Sequence, residues 1–333
     1  MLTTVRKYDS PSHTLQAFIP SHVLPAYLAI RAFNVEVTRI PDLVSNSTVG
    51  AMRMQFWRDT INSAFDNRPK AEPVAILLHS VLASCKLNKS WFLRTINARE
   101  RHMVNPRYAT MADLESYAEN TYSTLLYLTL AAYPLKSVTM DHLASHIGKA
   151  AGISAVLRGF PILAFPPAPR HQPSPTGGYD IQSSNTARGI ITLPLDTTST
   201  SGLCDEDVYR KGSNAEGLKD AIFNVATRAS DHLITLRSMV KSIQSYEEVD
   251  HAYEHENDEG HEYGRHASVR VSAATRKKEY HRGRGAVLGP AVSTQLWLDR
   301  LQKCDFDIFH PGLRRAEWRL PFVAWWKFRQ DRL

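Results

Sequence analysis

The stretch that most constrains the fold is residues 141–160, DHLASHIGKAAGISAVLRGF, which has the pattern of a helix. Small residues spaced i, i+4, i+7 and i+11 place one bare stripe along that helix: Gly148, Gly152, Ala155 and Gly159. Glycine inside a helix costs roughly 1 kcal/mol relative to alanine, so glycines that share a stripe need a structural reason. The stripe predicts either very close packing against another helix or the wall of a cavity.

Helical periodicity extends through most of the sequence. Apolar residues recur at helical spacing, with little strand signal and no internal repeat. With 43% hydrophobic residues among 333, the chain can bury a sizeable core. The longest apolar run, near residues 124–135, is too short to span a bilayer, and neither a secretory signal peptide nor a mitochondrial presequence is visible. We therefore predict an all-α protein.

Charge and cysteine content exclude several classes of function. The formal net charge of +7 suits an anionic membrane, a diphosphate ligand or a nucleic acid. No basic-plus-aromatic recognition motif accompanies this charge, so no nucleic-acid partner is expected. The three cysteines, Cys85, Cys204 and Cys304, are far apart, which argues against a disulfide framework or a zinc cluster and fits a reducing compartment.

Two predicted helices in the first 70 residues carry polar side chains that could line a cavity. The first helix is expected to end near Pro41, and Arg31 and Asn34 lie on its polar stripe. The second helix carries Arg53 and Arg58, which are either ligand-binding groups or part of a solvated face. Candidate cavity residues are therefore present on both helices.

Two stretches interrupt the helical pattern. Residues 165–187, rich in proline, serine and glycine, are predicted to form a flexible loop. Residues 247–290 contain an acidic block followed by a basic block and are predicted to be a disordered insertion. His251 and His255 have the i, i+4 spacing of metal ligands, but a disordered segment would not hold them in place. No metal site is therefore expected.

Several motifs resemble the squalene/phytoene synthase family in type and order. They are IRAFNVEVTRIPD, AMRMQFWRD, LESYAENTYSTLLYL, HIGKAAGISAVLRGFP and ARGIITLPLD. The resemblance implies an isoprenoid-synthase-type fold, a helical bundle around a central cavity. The resemblance covers most of residues 5–328. We expect one helical domain of residues 21–328, which follows an N-terminal segment of residues 1–20. ASHIGKA and DFDIFHP are similar to a non-catalytic branch that assists the assembly of mitochondrial respiratory complex I.

The enzymes of this family need two aspartate-rich motifs on opposing helices. Their carboxylates hold Mg²⁺, which neutralises the departing diphosphate of an allylic substrate. By the resemblance, the first motif falls here on Thr38, Arg39 and Asp42. Only the last position keeps a carboxylate, and Arg39 carries the opposite charge. The first Mg²⁺ cluster is therefore predicted to be lost.

The second motif is degenerate as well. By the resemblance it falls on Gly152, Ala155 and Gly159, while Arg158 is retained as a candidate cavity residue. Pro161 is expected to break the helix where the second half of the motif would lie. The sequence predicts that the fold is kept, that the chemistry is lost and that no cofactor is bound.

The resemblance implies a non-catalytic assembly factor for respiratory complex I. Its expected partners are complex I subunits or other assembly factors and the matrix face of the mitochondrial inner membrane, including cardiolipin. Two alternatives remain open: a Mg²⁺-dependent prenyl-diphosphate transferase, and a protein that binds an apolar, isoprenoid-like ligand in its cavity.

The end of the chain interleaves aromatic and basic residues. The candidate membrane-contact residues are Arg314, Arg315, Trp318, Arg319, Trp325 and Trp326. Aromatic rings favour the membrane interface and cations favour an anionic leaflet, so the tail is consistent with a helix lying in the plane of the membrane. The alternative is a final core helix with buried tryptophans and solvated arginines.

Overall fold

The computed structural model describes residues 2–44, 46–133, 135, 137–166, 189–245 and 272–330. Its described part is built from α-helices and short helical turns, without a strand, which confirms the all-α prediction. The α-helices are α1 (Leu2–Tyr8), α2 (Ser10–Leu15), α3 (Leu24–Thr38), α4 (Ser47–Phe65), α5 (Pro73–Leu82), α6 (Lys89–Val104), α7 (Met111–Ala118), α8 (Thr124–Ala132), α9 (Val138–Ala164), α10 (Leu195–Thr200), α11 (Asp205–Lys211), α12 (Leu218–Ser245), α13 (Ala273–Lys303) and α14 (Leu320–Gln330). A π-helical turn, Glu119–Ser123, joins α7 to α8.

Helix α9 lies at the centre of the bundle. It packs against α7, α8, α12, α13 and the π-helical turn. Within the described residues, α9 alone is long and apolar enough to cross a membrane by length and composition, with a mean hydropathy of 1.3 over its most apolar window. Its burial between these helices accounts for that composition, because a core helix needs an apolar surface on several sides.

Helix α9 continues through Pro161 to Ala164. The prediction that this proline breaks the helix is therefore wrong. Pro161 lies in the last turn, where a missing N–H removes a single hydrogen bond, and the Phe165 N–H still bonds to the Pro161 carbonyl at 3.2 Å. Burial of Phe160 and Ala164 on either side stabilises this turn.

The first twenty residues are part of the bundle and not a separate segment. Helix α1 packs on α3, and α2 packs on α13 and α14. Val5 and Leu15 are buried, and the Tyr27 hydroxyl donates to the Ser12 carbonyl at 2.9 Å. The predicted boundary after residue 20 is wrong because these short helices bury apolar side chains that their composition alone does not reveal.

The predicted disorder of residues 247–290 is wrong for residues 273–290, which form the first half of α13. Tyr280 and Leu288 are buried there. Glycines permit this packing by close approach: a Cβ on Gly285 would lie 2.5 Å from the Phe18 carbonyl oxygen.

Residues 247–271 of that stretch lie outside the described residues, and they include His251 and His255. The predicted loop of residues 165–187 also lies outside them, apart from its first two residues.

Candidate functional site

A cavity of about 420 Å³ lies between α2, α3, α9 and α13. This volume falls in the range of about 300–1,000 Å³ that is typical of small-molecule sites. Its lining includes seven positions that the sequence singled out: Arg31, Asn34, Thr38, Arg39, Asp42, Ala155 and Arg158. The predicted motif positions at the end of α3 and in the turn after it therefore line the same cavity as one predicted motif position of α9.

Helix α3 presents its polar stripe to the cavity. Arg31, Asn34 and Thr38 follow at i, i+3 and i+7, a spacing that keeps side chains on one side of a helix. The Arg31 guanidinium stacks on the Tyr27 ring at 5.3 Å. From α6, Arg99 donates to the Asn34 Oδ1 atom at 2.6 Å and fixes the orientation of that amide.

Arg158 reaches the cavity from α9. Arg158 is exposed and is one of the residues that line the cavity. Its Nε donates to the Ser154 carbonyl at 3.3 Å, and the guanidinium lies over the Trp297 ring at 5.6 Å. Nearby protein atoms displace water from the guanidinium, and this desolvation lowers the pKa of Arg158.

The cavity lining does not fit a Mg²⁺ cluster. Its carboxylates are Asp9 and Asp42, and Asp9 already accepts the Ser12 N–H at 3.3 Å as the cap of α2. The Thr38 hydroxyl donates to the Asn34 carbonyl at 2.6 Å, and Ala155 offers no oxygen. Mg²⁺ needs clustered oxygen ligands in a near-octahedral arrangement, which these groups do not supply.

The glycine stripe divides into two parts, so each of the two predicted explanations holds for part of it. A Cβ on Gly148 would lie 2.5 Å from the Ser123 backbone nitrogen, and one on Gly152 would lie 2.5 Å from the Ala118 Cβ. These two glycines serve close helix packing, so the interpretation of the whole stripe as a cavity wall is wrong. Gly159 has only an ordinary contact, 3.7 Å to Leu163, and Ala155 alone lines the cavity.

Arg53 and Arg58 do not line the cavity, so they are not the cavity residues that the sequence proposed. Arg58 forms an ion pair with Glu100 and donates to the Asn97 Oδ1 atom at 3.0 Å, which ties α4 to α6. Arg53 is exposed on α4. Their helical spacing gave no signal to distinguish a ligand site from an inter-helix ion pair.

Sequence reasoning missed several residues that line the cavity. Tyr8 and Asp9 come from the N-terminal segment, and Ser293 and Thr294 come from α13. Tyr122 comes from the π-helical turn, a feature often found at functional sites. Periodicity could not identify them, since the cavity forms only when elements distant in sequence meet.

His146 belongs to a polar chain away from the cavity. Its two ring nitrogens lie 3.2 Å from the His142 Nε2 and 3.0 Å from the His232 Nδ1, and the His232 Nε2 lies 2.7 Å from Glu115. Burial opposes ionisation of Glu115, but hydrogen bonds from His232 and Arg228 outweigh it and lower its pKa to about 2. This chain connects α7, α9 and α12.

The tail places its aromatic side chains in solvent. Trp318 is 74% exposed, and Trp325 and Trp326 are 52% and 56% exposed. Helix α14 packs on the bundle through Leu320 and Ala324 instead. The alternative of a final helix with buried tryptophans is therefore wrong.

Only part of the basic tail is engaged in ion pairs. Arg319 pairs with Glu317, which also receives Arg300, and these hydrogen bonds lower the pKa of Glu317 to about 2. Arg314 and Arg315 are exposed and form no ion pair with the described residues. Two cations therefore remain available beside the aromatic side chains.

Two solved structures share the fold of this chain, and a family profile identifies its class. The chain superimposes on a dehydrosqualene synthase with a TM-score of 0.68, at 13% identity over 99% of this chain and 94% of that one. It superimposes on squalene synthase HpnC from Alicyclobacillus acidocaldarius with a TM-score of 0.60, at 15% identity over 91% and 92% of the two chains. The squalene/phytoene synthase profile matches residues 5–172. The chain belongs to the squalene/phytoene synthase family.

Several curated proteins are similar to this chain in sequence. The chain is 31% identical to NADH dehydrogenase (ubiquinone) complex I, assembly factor 6 from Bos taurus, over 98% of this chain and 81% of the relative. The same protein from Homo sapiens is 31% identical over 97% and 79%. The homolog from Drosophila melanogaster is 28% identical over 98% and 81%.

Proposed function

We propose that the protein is a non-catalytic assembly factor for mitochondrial respiratory complex I. The observation that carries this proposal is its similarity, along nearly the whole chain, to relatives named as complex I assembly factor 6. The degenerate motif positions Thr38, Arg39 and Ala155 support the non-catalytic part, because they offer no carboxylate to a metal. Its partners are complex I subunits or other assembly factors.

Gene disruption tests this function directly. Assembled complex I is measured in mitochondrial membranes by native electrophoresis, with complexes III and IV in the same membranes as the control. We expect a selective loss of complex I that the wild-type gene restores. Normal levels of complex I in the disrupted cells, or an equal loss of all three complexes, would contradict the proposal.

The runner-up is a Mg²⁺-dependent prenyl-diphosphate transferase. The similarity of the fold to two synthases favours it. The carboxylate-poor lining of the cavity opposes it.

We further propose that the protein binds peripherally to the matrix face of the inner membrane through α14 and the turn before it. Trp318, Phe322, Trp325 and Trp326 are all exposed there. Aromatic side chains favour the membrane interface, and each cation near an anionic leaflet contributes about 1 kcal/mol. The exposed Arg314 and Arg315 supply such cations, so cardiolipin-rich membrane is the expected surface.

Flotation with cardiolipin-containing vesicles tests the membrane proposal. We expect binding that weakens as salt rises, because salt screens exposed charges beyond about 10 Å at 0.1 M. The double variant Arg314→Glu/Arg315→Glu should bind less than wild type. The control Arg53→Glu/Arg68→Glu makes the same charge change on α4 and the turn after it, where both residues are exposed. Failure to bind at low salt, or equal losses in both double variants, would contradict the proposal.

A further inference from the structure

Three histidines inside the bundle form a continuous chain that ends on a carboxylate. The rings belong to His142 and His146 on α9 and to His232 on α12, and the carboxylate is that of Glu115 on α7. His146 contacts its neighbours through different nitrogens, with Nε2 3.2 Å from His142 and Nδ1 3.0 Å from His232. The three rings therefore lie in series and do not converge on one point, as the ligands of a metal ion would.

Each contact in this chain holds one proton. Two ring nitrogens at hydrogen-bond distance need one N–H donor and one acceptor, because two hydrogens would collide and two lone pairs would repel. Despite the burial that opposes its ionisation, Glu115 has a pKa of about 2 because His232 and Arg228 donate to it, so it is an acceptor. His232 therefore donates from Nε2 to Glu115. His146 then donates from Nδ1 to His232, and His142 donates from Nε2 to His146.

This order of donors leaves room for one additional proton. A proton added to the outer nitrogen of His142 keeps one hydrogen in every contact of the chain, and a concerted change of tautomers can move the charge to His146 or His232. A second added proton would place two hydrogens in one ring–ring contact, so that contact would open. Three separate imidazoles in water, by contrast, would each accept a proton near pH 6.5.

The charges around the chain agree with this limit. Arg228 lies 2.5 Å from the same Glu115 oxygen that His232 contacts, and its charge opposes a second positive charge at that end. Glu119 in the π-helical turn accepts the hydroxyls of Ser145 at 2.9 Å and Tyr127 at 2.5 Å. Residues 285–292 of α13 carry no titratable side chain. Other titratable groups on the helices that meet here are Asp113, Tyr117, Tyr122, Asp141, Lys149 and Asp231.

We propose that this chain is a proton-operated latch between α7, α9 and α12, which holds one additional proton while closed and opens when it takes a second. The contact between His146 and His232 joins α9 to α12, so its opening removes a hydrogen bond between two packed helices. The latch gives a role to the histidine of the ASHIGKA motif. It operates independently of the assembly role and goes beyond it.

Nitrogen-15 NMR of the full chain, labelled at histidine, tests the order of donors. Long-range nitrogen–proton correlations distinguish an Nδ1–H ring from an Nε2–H ring, and backbone correlations assign each ring. At pH 8 we expect Nδ1–H at His146 and Nε2–H at His142 and His232. An Nε2–H ring at His146 would overturn the proposal, because its contact with His232 would then lack a donor. This measurement uses the wild type, so it decides the case even where a variant does not fold.

Urea denaturation between pH 7.5 and pH 5 counts the protons that the latch holds. Unfolded histidines take up their protons near pH 6.5, so the three together bind nearly three, whereas the closed latch binds one. Since the unfolded chain binds more protons, stability is complete above this range and falls as the pH drops through it. Each proton of difference changes the unfolding equilibrium constant about tenfold per pH unit, so the latch should contribute about a hundredfold per pH unit near pH 5.

Single variants separate a chain from three independently buried rings. His146→Gln disconnects the two outer rings, each of which can then bind a proton, so nearly all of this dependence on pH should disappear. His142→Gln shortens the chain by one ring and should weaken the dependence only about tenfold per pH unit. His22→Gln, at an exposed position, is the matched control and should behave as wild type. Equal effects of His146→Gln and His142→Gln would overturn the proposal.

Amide hydrogen exchange tests whether the latch opens. It is measured at the pH where NMR shows a second protonated ring in the chain, with correction for the intrinsic exchange rate. We expect protection in α12 to fall at least about tenfold relative to α6, which contributes no residue to the chain. Unchanged protection of α12 at that pH would show a static chain and overturn the latch. Unfolding of the whole protein before a second ring is protonated would do the same.

Discussion

Gly148 lies directly against the backbone of Ser123, so closely that a Cβ on the glycine would approach the Ser123 nitrogen to 2.5 Å. Ser123 belongs to the π-helical turn between α7 and α8, and its hydroxyl donates to the Ser145 carbonyl at 3.2 Å. The glycine and the hydroxyl together bring the two helices into contact. The packing of the central helix therefore depends on the absence of a side chain at position 148.

Substitutions in the glycine stripe should destabilise the protein at Gly148 and Gly152 but not at Gly159. Gly148→Ala and Gly152→Leu should each lower the free energy of unfolding by about 1–3 kcal/mol or more, because the new atoms overlap Ser123 or Ala118. Gly159→Ala is the matched control: its Cβ would lie 3.7 Å from Leu163, and alanine is the better helix former by up to about 1 kcal/mol. Chemical denaturation measures the free energy of unfolding of all three variants. A stable Gly148→Ala variant would contradict this packing.

The purified protein should not release diphosphate from farnesyl or geranylgeranyl diphosphate in the presence of Mg²⁺. The reason is that Thr38, Arg39 and Ala155, which the sequence predicts to be the motif positions, line the cavity and offer no carboxylate to a metal ion. Released diphosphate is measured against heat-treated protein, with an active squalene synthase as the positive control. Metal-dependent release above the heat-treated sample would support the transferase alternative.

Glu115 should make stability dependent on pH in the acid range. Its folded pKa lies at about 2, below the usual 4.5, so its contribution is fully present above pH 4.5 and is lost as the pH falls towards 2. Glu115→Gln should lower the free energy of unfolding at pH 7 by roughly 2 kcal/mol, because His232 and Arg228 lose an ionised acceptor. The difference from wild type should shrink below pH 4.5.

The matched control for this prediction is Glu206→Gln, which removes a more exposed carboxylate paired with Arg210 at i, i+4. Such surface pairs contribute about 0.3–0.5 kcal/mol, so little change is expected. Urea denaturation at several pH values gives both curves. A Glu115→Gln difference that stays constant from pH 7 to pH 3 would show that ionisation of Glu115 does not stabilise the fold.

The first half of α13 should contribute strongly to stability. Leu288 is 2% exposed, so Leu288→Ala should cost about 2–5 kcal/mol through lost burial and a residual cavity. Lys278→Ala, at an exposed position on the same helix, should change stability by less than about 0.5 kcal/mol. Thermal denaturation compares the two variants. Equal melting temperatures of Leu288→Ala and Lys278→Ala would contradict this expectation and support the prediction that the segment does not pack.

The sequence predicted the helical class and the end of α3 near Pro41, because periodicity and helix signals are local. It offered close packing and a cavity wall as alternatives for the glycine stripe and did not predict that the stripe divides between them. The sequence wrongly predicted disorder for the first half of α13, because a basic stretch with several glycines resembles a disordered one until its packing neighbours are known. One such neighbour is Phe18. Its carbonyl lies against Gly285, although the two residues are more than 250 positions apart in sequence.

The residues of the candidate site could also be predicted only in part. Arg31 and Asn34 follow from the polar stripe of α3, whereas Tyr8 and Thr294 reach the cavity from elements that carry no local signal for it. Arg58, like Arg31, is an arginine on a predicted helix. In the structure, however, Arg58 pairs with Glu100 on a neighbouring helix. A sequence alone does not reveal that carboxylate, because the pairing depends on how α4 and α6 cross.

The walls of the cavity come from opposite ends of the chain. Tyr8 and Leu15 form one part of the lining, and Pro290 and Thr294 of α13 form another. During synthesis, α2 therefore cannot pack on α13 and α14 until those helices have left the ribosome. Contacts this remote in sequence slow folding, because a long loop must close before they form. A nascent chain stopped before α13 would leave the apolar side of α2, including Leu15, without its packing partner, so the cavity closes only after α13 has been synthesised.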